Sequence, residues 1–271
     1  MPMILSTNKS KTSLKEIFDA KYIILQLARR DFTVRYKQTS LGWLWAVINP
    51  LANFILFAVV FGLLVRVPTP EYSAPYSAVL VVGIIYWNFF SACMNSVSDS
   101  LINNIHLIKK VYFPRIVFGL SSTFVAIVDF AIAFVFFIPI LYFLDVKIDL
   151  YRLVLITPIT MLTTVLFAWG IGCFMSILKV KYKDFRHVIP LVLQVLFYAS
   201  PIVYTASLIP EKYKIYYQLN PLSHVIELAR YAFLGGSTMP SIALTLILSL
   251  LVTLLGGLYF VCNERKVVDL E

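Results

Sequence analysis

Six long apolar stretches separated by short loops constrain this chain more than any other feature, because they decide the solvent in which it folds. They cover residues 43–65, 76–97, 116–144, 153–178, 188–204 and 242–262. As helices rising about 1.5 Å per residue, each covers roughly the 30 Å of a bilayer's hydrocarbon core. The third, at 29 residues, has to tilt, kink or run past the interface. With 60% hydrophobic and only 14% charged residues, an ordinary water-soluble domain is excluded. The expected fold class is an all-α polytopic membrane protein with six transmembrane helices.

Positive charge sorts by side. Lys9, Lys11, Lys15, Lys21, Arg29, Arg30, Arg35 and Lys37 precede the first stretch. Lys109, Lys110 and Arg115 lie in the second loop, Lys179, Lys181, Lys183 and Arg186 in the fourth, and Arg265 and Lys266 in the tail, making seventeen on one side. Arg66, Lys147, Arg152, Lys212, Lys214 and Arg230 make six on the other. The positive-inside rule then predicts six spans with both termini in the cytoplasm. Loops facing anionic lipid account for the net charge of +9 without any nucleic acid. The polar stretch up to Lys21 lacks the early apolar core of a cleavable signal peptide. Cys93, Cys173 and Cys262 sit in or at the ends of apolar stretches and read as small hydrophobes, with no disulfide framework.

Two units are expected: a cytoplasmic tail with an amphipathic interface helix over 1–42, and a six-span domain over 43–271. Residues 1–20 read as a mobile tail. From Tyr22 to Lys37, a helical period puts Gln26, Arg29, Arg30, Thr33 and Lys37 on one face. Ile23, Ile24, Leu25, Leu27, Ala28, Phe32 and Val34 fall on the other, so the helix is expected to lie along the inner leaflet. Asp31 and Arg35 intrude on the apolar side, four apart with the acid first, which predicts an ion pair between them. Trp43 and Trp45 open the first span as an aromatic belt, and Pro50 favours a kink two turns in.

Two loops stand out. Residues 100–115, on the cytoplasmic side, stay apolar at Leu101, Ile102, Ile105, Leu107, Ile108, Val111 and Phe113, and a helix here ends before Pro114. It either packs under the bundle or offers a protein-docking surface. On the outer side, residues 206–240 hold two short helices led by Pro210 and Pro221, the second capped by Asn220, and Gly235-Gly236 ends it. Tyr213, Tyr216, Tyr217 and Tyr231, with Phe197, Tyr198 and Tyr204 just before, make this segment dense in aromatics. A re-entrant hairpin is expected, because irregular backbone at that depth survives only where it is buried in protein or lines water.

Catalytic chemistry is sparse. Asp129, in the middle of the third span, is expected to hydrogen-bond a hydroxyl of the Ser121, Thr160 or Thr163 kind rather than to couple ions. His106, His187 and His224 are scattered and have no metal-ligand spacing, so no metal site is expected. There is no Gly-x-x-x-x-Gly-Lys loop to cradle a nucleotide, so energy for uphill transport has to come from a second polypeptide.

Four motifs in register with this topology resemble the ABC type-2 permeases of the polysaccharide-export group. They are Leu41-Gly42-Trp43-Leu44-Trp45 running to Asn49-Pro50-Leu51, the run from Asn104 to Arg115, Val180-Lys181-Tyr182-Lys183-Asp184-Phe185, and Leu219-Asn220-Pro221-Leu222 followed by Arg230. Lys183 stands where arginine is common in that group. The resemblance implies a homodimer joined to two copies of an ABC ATPase, with ATP and magnesium held by that partner and no cofactor or metal by this chain. It implies that Asn104, Ile105, His106, Leu107, Ile108, Lys109 and Lys110 dock in a groove of the ATPase as a coupling helix. Trp43, Trp45, Phe197, Tyr198, Tyr204, Tyr213, Tyr216, Tyr217 and Tyr231 would line the channel or outer gate, where flat apolar rings suit sugar C–H faces. Arg29, Arg30 and Lys37 would meet either a lipid pyrophosphate headgroup or bulk lipid phosphates. The implied cargo is a lipid-linked glycan, O-antigen foremost, carried across a bacterial inner membrane. A permease for teichoic acid, capsule, lipid or drug, an integral-membrane transferase of lipid-linked sugars, and a channel subunit remain the alternatives.

Overall fold

The computed structural model describes residues 14–37, 39–110, 114–236 and 239–264. Lys9, Lys11, Arg265, Lys266, the start of the expected tail and Val111-Tyr112-Phe113 lie outside the described residues. The described chain is helical: α1 Leu14–Asp19, α2 Lys21–Tyr36, α3 Trp45–Phe57, α4 Tyr76–Asn103, α5 Ile105–Lys110 and α6 Ile116–Phe143 come first. Then follow α7 Leu150–Lys181, α8 Phe185–Ala199, α9 Lys214–Gln218, α10 Pro221–Leu234 and α11 Ile242–Asn263. Five helical stretches are long and apolar enough to cross a membrane, and α8 is a shorter apolar helix.

Helix α4 is the axis of the bundle: 78% of its apolar window is buried inside the protein, against 11% for the stretch Gly42–Leu64. It packs against α6, α7 and α10, and α7 in turn carries α11. That last pair approaches very closely, because a Cβ on Gly256 would fall 1.9 Å from the Gly170 carbonyl oxygen. Only glycine permits this crossing, which trades side-chain volume for backbone contact as apolar helices in lipid do. By contrast, Ile55, Leu56, Leu63, Leu64, Leu191 and Val195 on α3, its continuation and α8 stay exposed, as suits surfaces bathed in lipid or covered by another chain.

The boundaries depart from the hydropathy reading for identifiable reasons. The second stretch stays helical to Asn103 rather than ending at 97, since buried Lys179 of α7 pairs with Asp99 at 2.6 Å and donates to Ser98 Oγ at 2.9 Å. The fourth starts at Leu150, not 153, because the Asp149 carboxylate caps it, accepting from the Tyr151 and Arg152 backbone N–H at 3.0 and 3.3 Å. The expected fifth span, 188–204, is corrected to Phe185–Ala199. At 15 residues it rises only about 22 Å. It stops because Ser200 precedes Pro201, which disfavours helical backbone, and Ser200 is extended at ψ 153°. The first span is a short 3₁₀ turn, Gly42–Leu44, then α3 with Pro50 inside it, then π-wound turns over Ala58–Leu64.

Candidate functional site

The basic side of the bundle is organised by α2. Its start packs with the foot of α6 and with α5: Ala20, Ile24 and Leu27 meet Val117, Phe118, Leu107 and Ile108. Its far end reaches Asp129, so α2 runs alongside the lower half of α6, with the stripe Ala20, Ile24, Leu27, Ala28, Asp31 and Arg35 turned inward at helical spacing. Gln26, Arg29, Thr33 and Lys37 face away, as the amphipathic reading expects, and Tyr22, Leu25 and Val34 are exposed apolar residues beside them.

The expected pair between Asp31 and Arg35 does not form. Asp31 instead takes Arg30 at 2.6 Å, and Arg30 also donates to the Asn104 side chain at 2.5 Å. Arg35 pairs with Asp129 at 3.0 Å, and the Tyr36 hydroxyl donates to the other Asp129 oxygen. The longer reach wins because Asp129 lies in an apolar span, where an ionised carboxylate demands a cation, while Asp31 at the rim has Arg30 next to it. Burial, followed by the bond to the carboxylate, holds the Tyr36 phenol above its ordinary value. The hydroxyl partners expected for Asp129 are used elsewhere. Ser121 and Thr163 donate back to their own helices at Phe118 and Ile159, each at 2.9 Å, and Thr160 bonds the Tyr86 hydroxyl at 2.7 Å.

Helix α5 carries the expected coupling residues. Asn104 closes α4 and is buried, Ile105, Leu107 and Ile108 are half-buried, and His106, Lys109 and Lys110 are exposed. Leu107 and Ile108 pack where α2 meets α6, and His106, Lys109 and Lys110 form the exposed surface of the element. Arg30, through Asn104, ties this element to α2.

Beside the ion pair lies a cavity of about 330 Å³ between α2, α3, α4 and α6. Asn88, Ser91 and Asn95 line it from α4 at a spacing of three and four, one helical face. This polar stripe inside an apolar span was legible as a pattern, yet sequence reasoning passed over it because hydropathy averages it away. Trp45 also lines the cavity, whereas Trp43 leans against Phe136 with ring centroids 5.8 Å apart.

On the opposite side the expected gate aromatics divide into separate groups. Phe197 stacks on Phe57 at 5.1 Å and meets Trp87 edge-on at 5.2 Å, with Tyr198 at its edge, joining α3, α4 and α8. Tyr204 donates to the Tyr198 carbonyl at 3.1 Å. Tyr213 and Tyr216 are exposed. Tyr217 is buried and donates to Glu227 at 2.6 Å, and Tyr231 lies under the Arg152 guanidinium at 5.4 Å. Helix α10 carries Pro221 in its first turn, and the Asn220 side chain accepts from the Leu222 N–H at 3.1 Å. Nearly the whole helix is buried between α4 and α7.

What holds this arrangement is Arg230. It is 1% exposed and donates to the carbonyls of Val79 at 3.2 Å, Tyr204 at 2.9 Å and Ile202 at 2.9 Å. The bonds to Ile202 and Tyr204 satisfy the backbone of the irregular segment 200–205, which would otherwise be orphaned in an apolar interior, and the bond to Val79 ties it to α4. Gly83 makes room for it, since a Cβ there would lie 2.6 Å from the Ile202 oxygen. Burial raises the Glu227 carboxyl above its usual range, against the opposing hydrogen bond from Tyr217. Among the described residues no group of three or more His, Cys, Asp or Glu is placed to hold a metal ion.

Comparison with known proteins adds a context that the geometry alone lacks. The profile of the family described as ABC-2 type transporter matches residues 22–234. An O-antigen export system permease protein RfbA of Klebsiella pneumoniae is 31% identical over 228 residues, covering 84% of this chain and 85% of the relative. The RfbA protein of Myxococcus xanthus is 22% identical, with 77% and 79% covered. The polysialic acid transport protein KpsM of Escherichia coli is 24% identical over 239 residues, with 88% and 92% covered.

Proposed function

Because the chain belongs to the ABC-2 type transporter family, we propose that it is the permease subunit of an ATP-driven exporter that moves a lipid-linked polysaccharide, O-antigen foremost, from the cytoplasm across the bacterial inner membrane. The observation that carries this is likeness over most of both chains to an O-antigen export permease at 31% identity. Another polysaccharide of the polysialic acid kind is the second reading, favoured by likeness to the polysialic acid transport protein KpsM over 88% of this chain and 92% of that one. The chain itself is the conduit, and a separate ABC ATPase binds ATP and magnesium. Two copies of each assemble, the exposed faces of α3 and α8 meeting across the dimer. Both termini and α5 face the cytoplasm, as the seventeen-to-six split of basic residues supports.

In this reading His106, Lys109 and Lys110 meet the ATPase directly. Ile105, Leu107 and Ile108 seat the element against the bundle. A push on α5 then reaches α2 through Leu107, Ile108 and the Arg30–Asn104 bond. Helix α2 passes it to α6 through Arg35 and Asp129. Arg29 and Lys37, exposed on the outer face of α2, attract the anionic headgroup of the cargo, while Arg30 is held by Asp31 and Asn104. Phe197, Tyr198, Tyr213 and Tyr216 offer ring faces to the leaving glycan, and Tyr217, Tyr204 and Tyr231 shape the segment behind them.

Purification of tagged protein from its native cell in mild detergent, with mass spectrometry, tests this. A stoichiometric ATPase that is lost from a variant carrying His106→Glu, Lys109→Glu and Lys110→Glu is the expected result. An intact membrane protein with no ATPase at comparable yield would move a transferase or channel reading to the front.

A further inference from the structure

The cavity between α2, α3, α4 and α6 contains polar groups with no task inside the protein. Among the described residues the side-chain amides of Asn49 and Asn95 make no hydrogen bond, although both line the cavity. The Asn88 amide nitrogen is spent on the Ile84 carbonyl at 2.9 Å, which leaves its oxygen unused. Asn49 is exposed and Asn88 and Asn95 are half-buried, so these amides are open to whatever enters the cleft. The floor is apolar: Phe89 and Phe130 are packed with centroids 4.4 Å apart. Trp45 rises at the side, 42% exposed.

The charge of the site decides between two occupants. Its one cation, Arg35, is already neutralised by Asp129 at 3.0 Å, and the carboxylate repels an incoming anion. What remains is a neutral set of amides, with the Ser91 hydroxyl donating to the Asn88 carbonyl at 3.2 Å, beside the rings of Trp45, Phe89 and Phe130, which matches a ring bearing hydroxyls on its edge and C–H groups on its faces. At about 330 Å³ the cavity stands at the low end of small-molecule sites, room for a ring or two rather than a coiled polymer. We infer that this cleft binds a neutral sugar ring of the cargo, held by Asn88, Asn95 and Asn49 against Trp45, and that the anionic headgroup stays outside it. The inference rests on the glycan-export reading.

The test uses the full chain in lipid nanodiscs with its copurifying ATPase. Exposed Cys262 is changed to Ser, and Ser91→Cys places a thiol in the cleft. Maleimide labelling is timed with octyl glucoside or octyl phosphate, each below its micelle concentration. Protection by the glycoside and not by the phosphate is expected, reaching about tenfold slowing at roughly ten times its dissociation constant. That protection should vanish in Asn88→Leu with Asn95→Leu. Equal protection by both probes would mean an alkyl-chain site, and stronger protection by the phosphate an anion site; either overturns the inference. So does a thiol that neither probe protects, or one that maleimide never reaches. Polysaccharide export in cells separates the two levels. No export by the unaltered chain removes the exporter reading, whereas normal export by the Asn88→Leu, Asn95→Leu variant removes only the cleft.

Discussion

Replacing Arg230 with methionine removes the donors that hold the segment 200–205 while keeping an unbranched side chain in the same space. Two carbonyls of irregular backbone, those of Ile202 and Tyr204, lose their partner, while that of Val79 keeps its place in the ladder of α4. An orphaned buried acceptor costs about 1–3 kcal/mol, so the gross loss is roughly 2–6 kcal/mol. Methionine avoids the burial of a guanidinium that has no carboxylate at hydrogen-bond distance, which returns several kcal/mol. The net destabilisation is about 1–3 kcal/mol, equivalent to a melting midpoint lower by roughly 3–10 °C. The assay is the decay of the monodisperse size-exclusion peak of a fluorescently tagged protein heated in detergent. Arg230→Lys, which keeps the charge but not the three-way fork, should fall between. An Arg230→Met midpoint within about 2 °C of the unaltered chain would refute the reasoning, because it would mean that the segment 200–205 is not held by these bonds.

Three further outcomes follow from the same geometry. Asp129→Asn keeps acceptors for Tyr36 and half-exposed Arg35, so most export should survive, whereas Asp129→Leu should lower both export and midpoint; exchanging the charges, Arg35→Asp with Asp129→Arg, should recover part of that loss, and no recovery would break the pairing. The Glu227 carboxyl titrates above the ordinary 4.5 in the folded protein, so the folded state holds its proton more tightly than the unfolded one. Its contribution to stability is therefore present below about 4.5 and lost as pH rises through the raised value, and the midpoint should fall over that window in the unaltered chain but not in Glu227→Gln. Gly256→Leu should prevent α11 from docking on α7 and abolish the monodisperse peak, since its Cβ alone would collide with the Gly170 carbonyl; a normal peak would show that the two helices do not cross at these glycines.

The parts of this protein legible in one dimension are those set by partition between water and lipid. The apolar stretches, the bias of basic residues, the amphipathic period of α2 and the proline-led, Asn220-capped start of α10 all depend on neighbours a turn or two away. They could therefore be read from spacing and residue type alone. The resemblance to polysaccharide-export permeases was visible for the same reason, in short motifs kept in order. Hydropathy missed the extension of α4 past Val97 through Ser98 and Asp99 to Asn103, because the lysine that neutralises Asp99 lies on another helix.

Only the tertiary structure decided which charge meets which. Arg35 passes over Asp31, four residues back, for Asp129, because a carboxylate deep in an apolar span gains more from a cation than one at the rim. Tyr217, grouped with the channel aromatics by its position in the chain, proves buried against Glu227, while Phe57 and Trp87, unremarked in sequence, complete the cluster around Phe197. The cleft with its row of asparagines exists only where α2, α3, α4 and α6 converge. Sequence specifies how each segment divides between lipid and water, but the cost of leaving a charge or an amide unpaired is settled by whichever distant helix comes to face it.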